Sequence, residues 1–223
     1  MMREFIIQAV FLFLVFFLGF SLYEILPTIS FPLRAALALL ITYFLTLLFF
    51  LVIDLLSRLL LRNAPDYLLP GTPQRTIWGI GEMARTNYLH LLHGLGIIAG
   101  HPNIALRLLG LKHGKRFSLL DGQVNDPSRI TVGNNVLGGT DATIGERFHP
   151  FRGPVDRRPI IIGDNCLIGG KSVIQSGVQI GDNVVVAILS VVSSGSVLES
   201  GWVYGGIPAK KIRQLDPDEV MNQ

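Results

Sequence analysis

Residues 162–198 read IGDNCLIGGKSVIQSGVQIGDNVVVAILSVVSSGSVL, and every sixth position is aliphatic: Ile162, Ile168, Ile174, Ile180, Val186, Val192 and Leu198. The same step runs back through Val132, Gly138 and Ile144. Four residues after the anchors stand Cys166, Ser172, Val178, Val184, Ser190 and Ser196, all small or β-branched, and glycine follows the anchor at Gly133, Gly145, Gly163, Gly169 and Gly181. A period of six matches neither the 3.6 of a helix nor the alternation of an ordinary strand. It matches short strands joined by turns that all bend the same way, three strands to a coil. The anchors then stack inside a triangular prism, and small residues let successive coils approach without voids. Asn135, Asn165 and Asn183 belong at the turns, because Asn enters left-handed backbone angles at low cost. Ile144 and Ile162 are 18 residues apart, three whole periods, so the register is expected to survive the segment between them.

Outward from the repeat the composition changes. Hydrophobic residues make up 49% and charged residues 16% of the 223, yet ten of the 13 Phe lie in the first fifty positions. Two charge-free runs of 19 residues, Phe5 to Tyr23 and Ala35 to Ile53, are each long enough for the ~30 Å of a bilayer's hydrocarbon core at ~1.5 Å per residue. Pro27 and Pro32 bracket a turn between them, which predicts a transmembrane helical hairpin. Arg3 before the first run and Arg58 and Arg62 after the second outnumber Arg34 in the turn, so the positive-inside rule puts both termini in the cytosol of a cell membrane. Asn63 to Gln74, with Pro65, Pro70, Gly71 and Pro73, reads as a linker. Met83 to Ile98 and Ile104 to Leu111 read as short helices lying along the bilayer surface.

The expected organisation is therefore a hairpin over 1–62, linker and amphipathic helices over 63–112, the repeat domain over 113–213 and a tail over 214–223. Net charge is +3 without a Lys/Arg block, so nucleic acid is not an expected partner. The single Cys166 excludes an intramolecular disulfide. His90 and His93 lie three apart on one helix face but lack a third ligand, and His101 and His113 are isolated, so no metal site is expected.

The runs Ile162-Gly-Asp-Asn-Cys-Leu-Ile-Gly-Gly, Val178-Gln-Ile-Gly-Asp-Asn-Val and Tyr204-Gly-Gly-Ile-Pro-Ala-Lys-Lys-Ile resemble the hexapeptide-repeat acyltransferases. That superfamily includes the maltose, galactoside and xenobiotic acetyltransferases and folds as a left-handed parallel β-helix. The resemblance covers about Leu108 to Arg213, and the lead-ins Arg107-Leu-Leu-Gly and Asn125-Asp-Pro-Ser are more like its membrane-attached members. It implies a homotrimer with sites between adjacent prisms, acetyl-coenzyme A or another acyl-coenzyme A as donor, and a carbohydrate or lipid-linked acceptor.

Within the resemblance, His149-Pro150 falls where these enzymes carry their catalytic His-Pro. An imidazole with a pKa near 6.5 suits removal of a proton from an attacking hydroxyl or amine. Glu146 and Asp156 are the candidates to orient the ring. The segment His149 to Pro159 interrupts the repeats, and Arg147, Arg152, Arg157 and Arg158 crowd it, fit to hold an anionic acceptor or the phosphates of coenzyme A, or simply to be solvated. By position, Gly170, Ala187, Ile188, Ser193 and Ser194 would line the donor path, with Lys210 and Arg213 near phosphate, and Asn125, Asp126, Glu146, Arg152, Arg157 and Arg158 would meet the acceptor. The chain departs from its relatives at Ala187-Ile188-Leu189, where Gly-Ala-Gly is usual, and at Ser193-Ser194, where Thr-Lys is frequent. That bulk leaves open a different role, a non-catalytic trimeric membrane scaffold.

Overall fold

The anchors form the inside of a parallel solenoid. The protein is described by a computed structural model covering residues 13, 15–21, 23–24, 30–94, 102–120, 122–146 and 153–216. After a short strand β1 (Tyr67–Leu68), the first coil comprises β2 (Lys112–His113), β3 (Phe117–Leu119) and β4 (Gln123–Val124). The second comprises β5 (Ile130–Val132), β6 (Val136–Gly138) and β7 (Thr143–Glu146). Outside the coils lies β8 (Val155–Asp156). The third coil is β9 (Ile160–Ile162), β10 (Leu167–Ile168) and β11 (Val173–Gln175). The fourth is β12 (Gln179–Ile180), β13 (Val185–Val186) and β14 (Val191–Val192). A fifth begins with β15 (Val197–Leu198) and β16 (Trp202–Gly205), and β17 (Lys210–Gln214) turns back antiparallel along β16. The coils stack into three sides, β2-β5-β9-β12-β15, β3-β6-β10-β13-β16 and β4-β7-β11-β14.

The register follows the six-residue step. Val132, Ile162, Ile180 and Leu198 lie side by side on the first side of the prism, and Ile144, Ile174 and Val192 on the third. The second side holds Gly138, Ile168, Val186 and Tyr204. None of the seven anchors from Ile162 to Leu198 is more than 4% exposed. Burial of each such side chain contributes about 1.5–3 kcal/mol. At Gly138 the aliphatic series breaks because Leu119 fills the space: a Cβ there would lie 2.2 Å from Leu119 Cδ1. Asn135, Asn165 and Asn183 take φ of 56°, 54° and 55° at one corner. Their amides form a ladder, Asn135 donating to Asn165 at 3.0 Å and Asn165 to Asn183 at 3.1 Å.

One N-terminal helix, α1 (Phe31–Leu60), contains the second apolar run, and it is the one helix among the described residues long and apolar enough to cross a membrane. About half of the first run falls outside the described residues, and within the described part residues 15–21 are helical. A second helix, α2 (Pro73–Gly94), begins inside the expected linker. The Thr72 hydroxyl accepts the Arg75 N–H at 3.3 Å and Pro73 opens the first turn, a favourable helix start. Instead of lying apart from α1, α2 packs antiparallel along it. Tyr43 donates to the Leu91 carbonyl, Arg85 meets Asp54, and a Cβ on Gly81 would sit 2.1 Å from Ser57 Oγ, so the helices cross at a residue without a side chain. The short α3 (Pro102–Leu108) closes the base of the prism: Leu106 joins the prism core, while Ala105 packs with Leu47, Phe50, Ala84 and Tyr88 of the helical pair.

Candidate active site

The third side of the prism ends in a corner that gathers several of the expected residues. There β7 finishes with Glu146 beside Gln175, and the inserted segment returns through β8. β8 is pinned antiparallel to β1, Tyr67 opposite Asp156 and Leu68 opposite Val155, so the proline-rich linker is part of the corner. The Arg158 guanidinium donates to both Asp156 carboxylate oxygens, at 3.1 Å from Nε to Oδ1 and 2.8 Å from Nη2 to Oδ2. It also donates to Ser194 Oγ at 2.7 Å, and that hydroxyl lies 2.8 Å from Asp156 Oδ2. The Ser194 N–H donates to Gln175 Oε1 at 2.9 Å. Arg158 fits because Gly177 and Gly195, at φ of 76° and 74°, leave it room: Cβ atoms there would lie 3.0 and 2.8 Å from its nitrogens. Burial pushes the Asp156 carboxyl up, but the hydrogen bonds from Arg158 and Ser194 outweigh this and hold it below the usual carboxylate range.

The expected donor residues divide between two corners. Gly170, Ala187 and Ile188 lie where the second side meets the third, with the Leu189 N–H donating to Gly170 O at 3.0 Å. Ile188 and Leu189, 70% and 60% exposed, project outward. Ser193 and Ser194 lie at the other end of the third side, with Asp156 and Arg158. Lys210 and Arg213 are exposed on β17, opposite Gly205 and Val203. His149 and Arg152 lie outside the described residues, as does the Glu146 side chain.

Two of the residues expected at the acceptor, Asp126 and Arg157, are buried and paired with each other. Asp126, only 2% exposed, accepts from Ser128 Oγ at 2.9 Å and lies 3.5 Å from Arg157 Nε and 3.8 Å from Arg85 Nη2. Arg85 in turn donates to Asp54 at 2.6 Å and Glu82 at 2.8 Å, and Arg58 lies 2.8 Å from the second Asp54 oxygen. Burial alone would lower the Arg85 pKa, but Asp126, Glu82 and Asp54 outweigh it and raise the value above that of an ordinary arginine. Asn125 is held by its backbone, its N–H donating to Ile144 O at 2.9 Å. This junction ties α1 and α2 to the prism. Sequence reasoning missed Asp54 and Arg85, whose only local signal was a carboxylate ending an apolar run. Among the described residues no group of three or more His, Cys, Asp or Glu is arranged to hold a metal ion.

Comparison with known proteins bears mainly on the repeats. Residues 159–187 match a family model described as the hexapeptide repeat of succinyl-transferase. No curated protein matches the chain. Among solved structures, a hexapeptide-repeat acetyltransferase from Vibrio cholerae O1 biovar eltor, complexed with acetyl-coenzyme A, is 30% identical over 48% of this chain and 61% of its own, with a TM-score of 0.44. A maltose O-acetyltransferase from Clostridium difficile 630 is 26% identical over 51% of this chain and 74% of its own, TM-score 0.42. A galactoside acetyltransferase in complex with coenzyme A is 23% identical over 55% and 74%, TM-score 0.44. The chain thus spans about three fifths of the first of these proteins.

Proposed function

We propose, for a chain whose residues 159–187 match the hexapeptide-repeat family model, that it is a membrane-anchored, homotrimeric acyltransferase. Its donor is an acyl-coenzyme A, acetyl-coenzyme A first. Its acceptor is a hydroxyl or amine of a carbohydrate, a lipid-linked glycan or another envelope component. The observation that carries this reading is the repeat match over residues 159–187, which begins nine positions after Pro150 in the sequence.

In this reading the acceptor oxygen or nitrogen attacks the thioester carbonyl carbon while neutral His149 takes its proton. The tetrahedral adduct then collapses with cleavage of the C–S bond, and the imidazolium returns the proton to the departing thiolate. Such base assistance contributes ~10²- to 10⁴-fold. Gly170, Ala187, Ile188, Ser193 and Ser194 are assigned to the donor's flexible arm, Lys210 and Arg213 to its phosphates. Asp156, already committed to Arg158 and Ser194, supports the corner more than the ring, so Glu146 becomes the first candidate to orient His149.

The apolar length of α1 supports the anchor, and outward Ile161 and Val197, 46% and 67% exposed on one side of the prism, support contact between protomers. Tethering favours an acceptor held at the same surface, because it raises effective concentration only there. A non-catalytic scaffold is the second reading, favoured by exposed Ile188, Leu189 and Ile207 at one corner. The first is tested by His149→Ala in the full chain. Transfer from labelled acetyl-coenzyme A is expected to fall ~10²- to 10⁴-fold with the oligomer intact, and near-normal turnover removes His149 as the base.

A further inference from the structure

The lowest coil of the prism differs in charge from those above it at equivalent positions. Along one corner, backbone N–H groups donate upward in a regular series: Lys115 to Asn134 Oδ1 at 3.0 Å, Asn134 to Asp164 Oδ1 at 2.6 Å, Asp164 to Asp182 Oδ1 at 2.7 Å and Asp182 to Ser200 Oγ at 3.0 Å. These are one structural position repeated coil by coil. It is acidic in the third and fourth coils and Lys115 in the first. The next position is left-handed throughout, and where the upper coils use Asn135, Asn165 and Asn183, the first uses Arg116 at φ 53°. Arginine gains nothing from that conformation, which disfavours side chains other than Gly, Asn or Asp. The basic residue therefore stands there against the backbone preference.

These residues belong to a longer asymmetry. From Met83 to Leu120 the sequence holds five Lys or Arg and no Asp or Glu. Arg85 is enclosed by the carboxylates of the helix junction, but Arg107, Lys112, Lys115 and Arg116 are exposed. Beside them Ile104, Leu108 and Leu120 are 63%, 49% and 51% exposed. This base adjoins the end of α1: Arg58 Nη2 donates to Leu108 O at 2.9 Å, and exposed Arg62 follows the helix. The outward face of α1 stays apolar up to that end, with Leu55, Leu56, Leu59 and Leu60 all exposed.

We propose that α3 and the first coil form a docking surface for anionic lipid headgroups, so that the prism stands with its base on the bilayer. The inference rests on the reading of α1 as a membrane anchor and adds a second contact to it. Exposed cations interleaved with aliphatic side chains, next to an emerging helix, have the chemistry of such a surface. The acidic positions higher on the same corner would be repelled from it, which fixes which end faces down.

The test uses the full chain in lipid nanodiscs, with a fluorophore on a single introduced cysteine at Ser118 in the first coil, Gln179 in the fourth or Leu48 on α1. Native Cys166 is buried and does not compete for label. Quenchers are carried on lipid headgroups or on acyl chains. In discs with phosphatidylglycerol, the label at position 118 should be quenched from the headgroups and that at 179 should not. Quenching at 118 should drop to the level of 179 in phosphatidylcholine discs, and in a Lys112→Glu, Lys115→Glu, Arg116→Glu variant. Equal quenching at 118 and 179 in anionic discs, or quenching at 118 indifferent to lipid charge, overturns the proposal while acyl-chain quenching at 48 leaves the anchor standing. Loss of acyl-chain quenching at 48 removes the anchor and the docking surface together.

Discussion

The prism and the junction beneath it are held by opposite means. Inside the prism, aliphatic residues meet their counterparts one coil away, and any one of them resembles the next. At the junction, Asp54, Arg58, Glu82, Arg85, Asp126 and Arg157 meet in one network centred on Arg85, from two helices and two loops, and none of these contacts is repeated elsewhere in it. A stack of equivalent contacts distributes a local defect, whereas a network of unlike charges concentrates it. Removing one buried charge leaves its partners desolvated and unpaired, which costs more than the interaction itself contributes.

Arg85→Met should break this contrast most severely. It takes the central guanidinium from Asp54 and Asp126, both no more than 2% exposed, leaving Arg58 beside the first and Arg157 beside the second, at a cost of about 3–5 kcal/mol. Hydrogen exchange on the full chain in detergent should lose protection in α2 and α3 and keep it in β10 to β14; uniform loss would mean that junction and prism form one cooperative unit. Ile174→Ala is the counterpart inside the stack. It should cost about 2–5 kcal/mol, with protection lost in β7, β11 and β14 and kept at the junction. Asn165→Ala sharpens the comparison at a corner. A left-handed residue without the Asn side chain costs about 1–2 kcal/mol, so a modest fall in melting temperature is expected, and a Gly in the same place should restore part of it. The smallest effect should come from the Asp156–Arg158 pair. Because Asp156 titrates below its ordinary value in the folded chain, its contribution is complete above the unfolded carboxyl pKa, about 3.9. That contribution is lost as pH falls through the folded value. The difference in melting temperature between the native chain and Asp156→Asn should hold from pH 7 to about pH 5 and vanish in stronger acid.

What could be read in advance follows the same division. The six-residue step predicted the core because each anchor is judged only by its spacing, and Asn165 predicted its own left-handed turn. Even the irregularity at Gly138 is local, compensated by Leu119 one coil below. Arg85 and Asp126, in contrast, are separated by 41 positions, and no periodicity connects them. Asn125-Asp-Pro-Ser carries the composition of an ordinary turn, and only the approach of α2 makes its carboxylate a partner for Arg85. The start of α2 was concealed by Pro73, which ends helices in most settings but opens one when it sits at the first position. Likewise, proline-rich Asn63 to Gln74 gives no hint that Tyr67 and Leu68 will pair with the strand inserted between the repeats.

Equilibrium titration of the full-length chain with coenzyme A, alongside His149→Ala, addresses the central claim most directly. An acyltransferase whose donor lies along the prism and whose base is His149 should bind coenzyme A saturably in both proteins, since the substitution removes a proton acceptor and leaves the donor path intact. Failure of the native chain to bind coenzyme A at any concentration would contradict the account and leave the prism a scaffold.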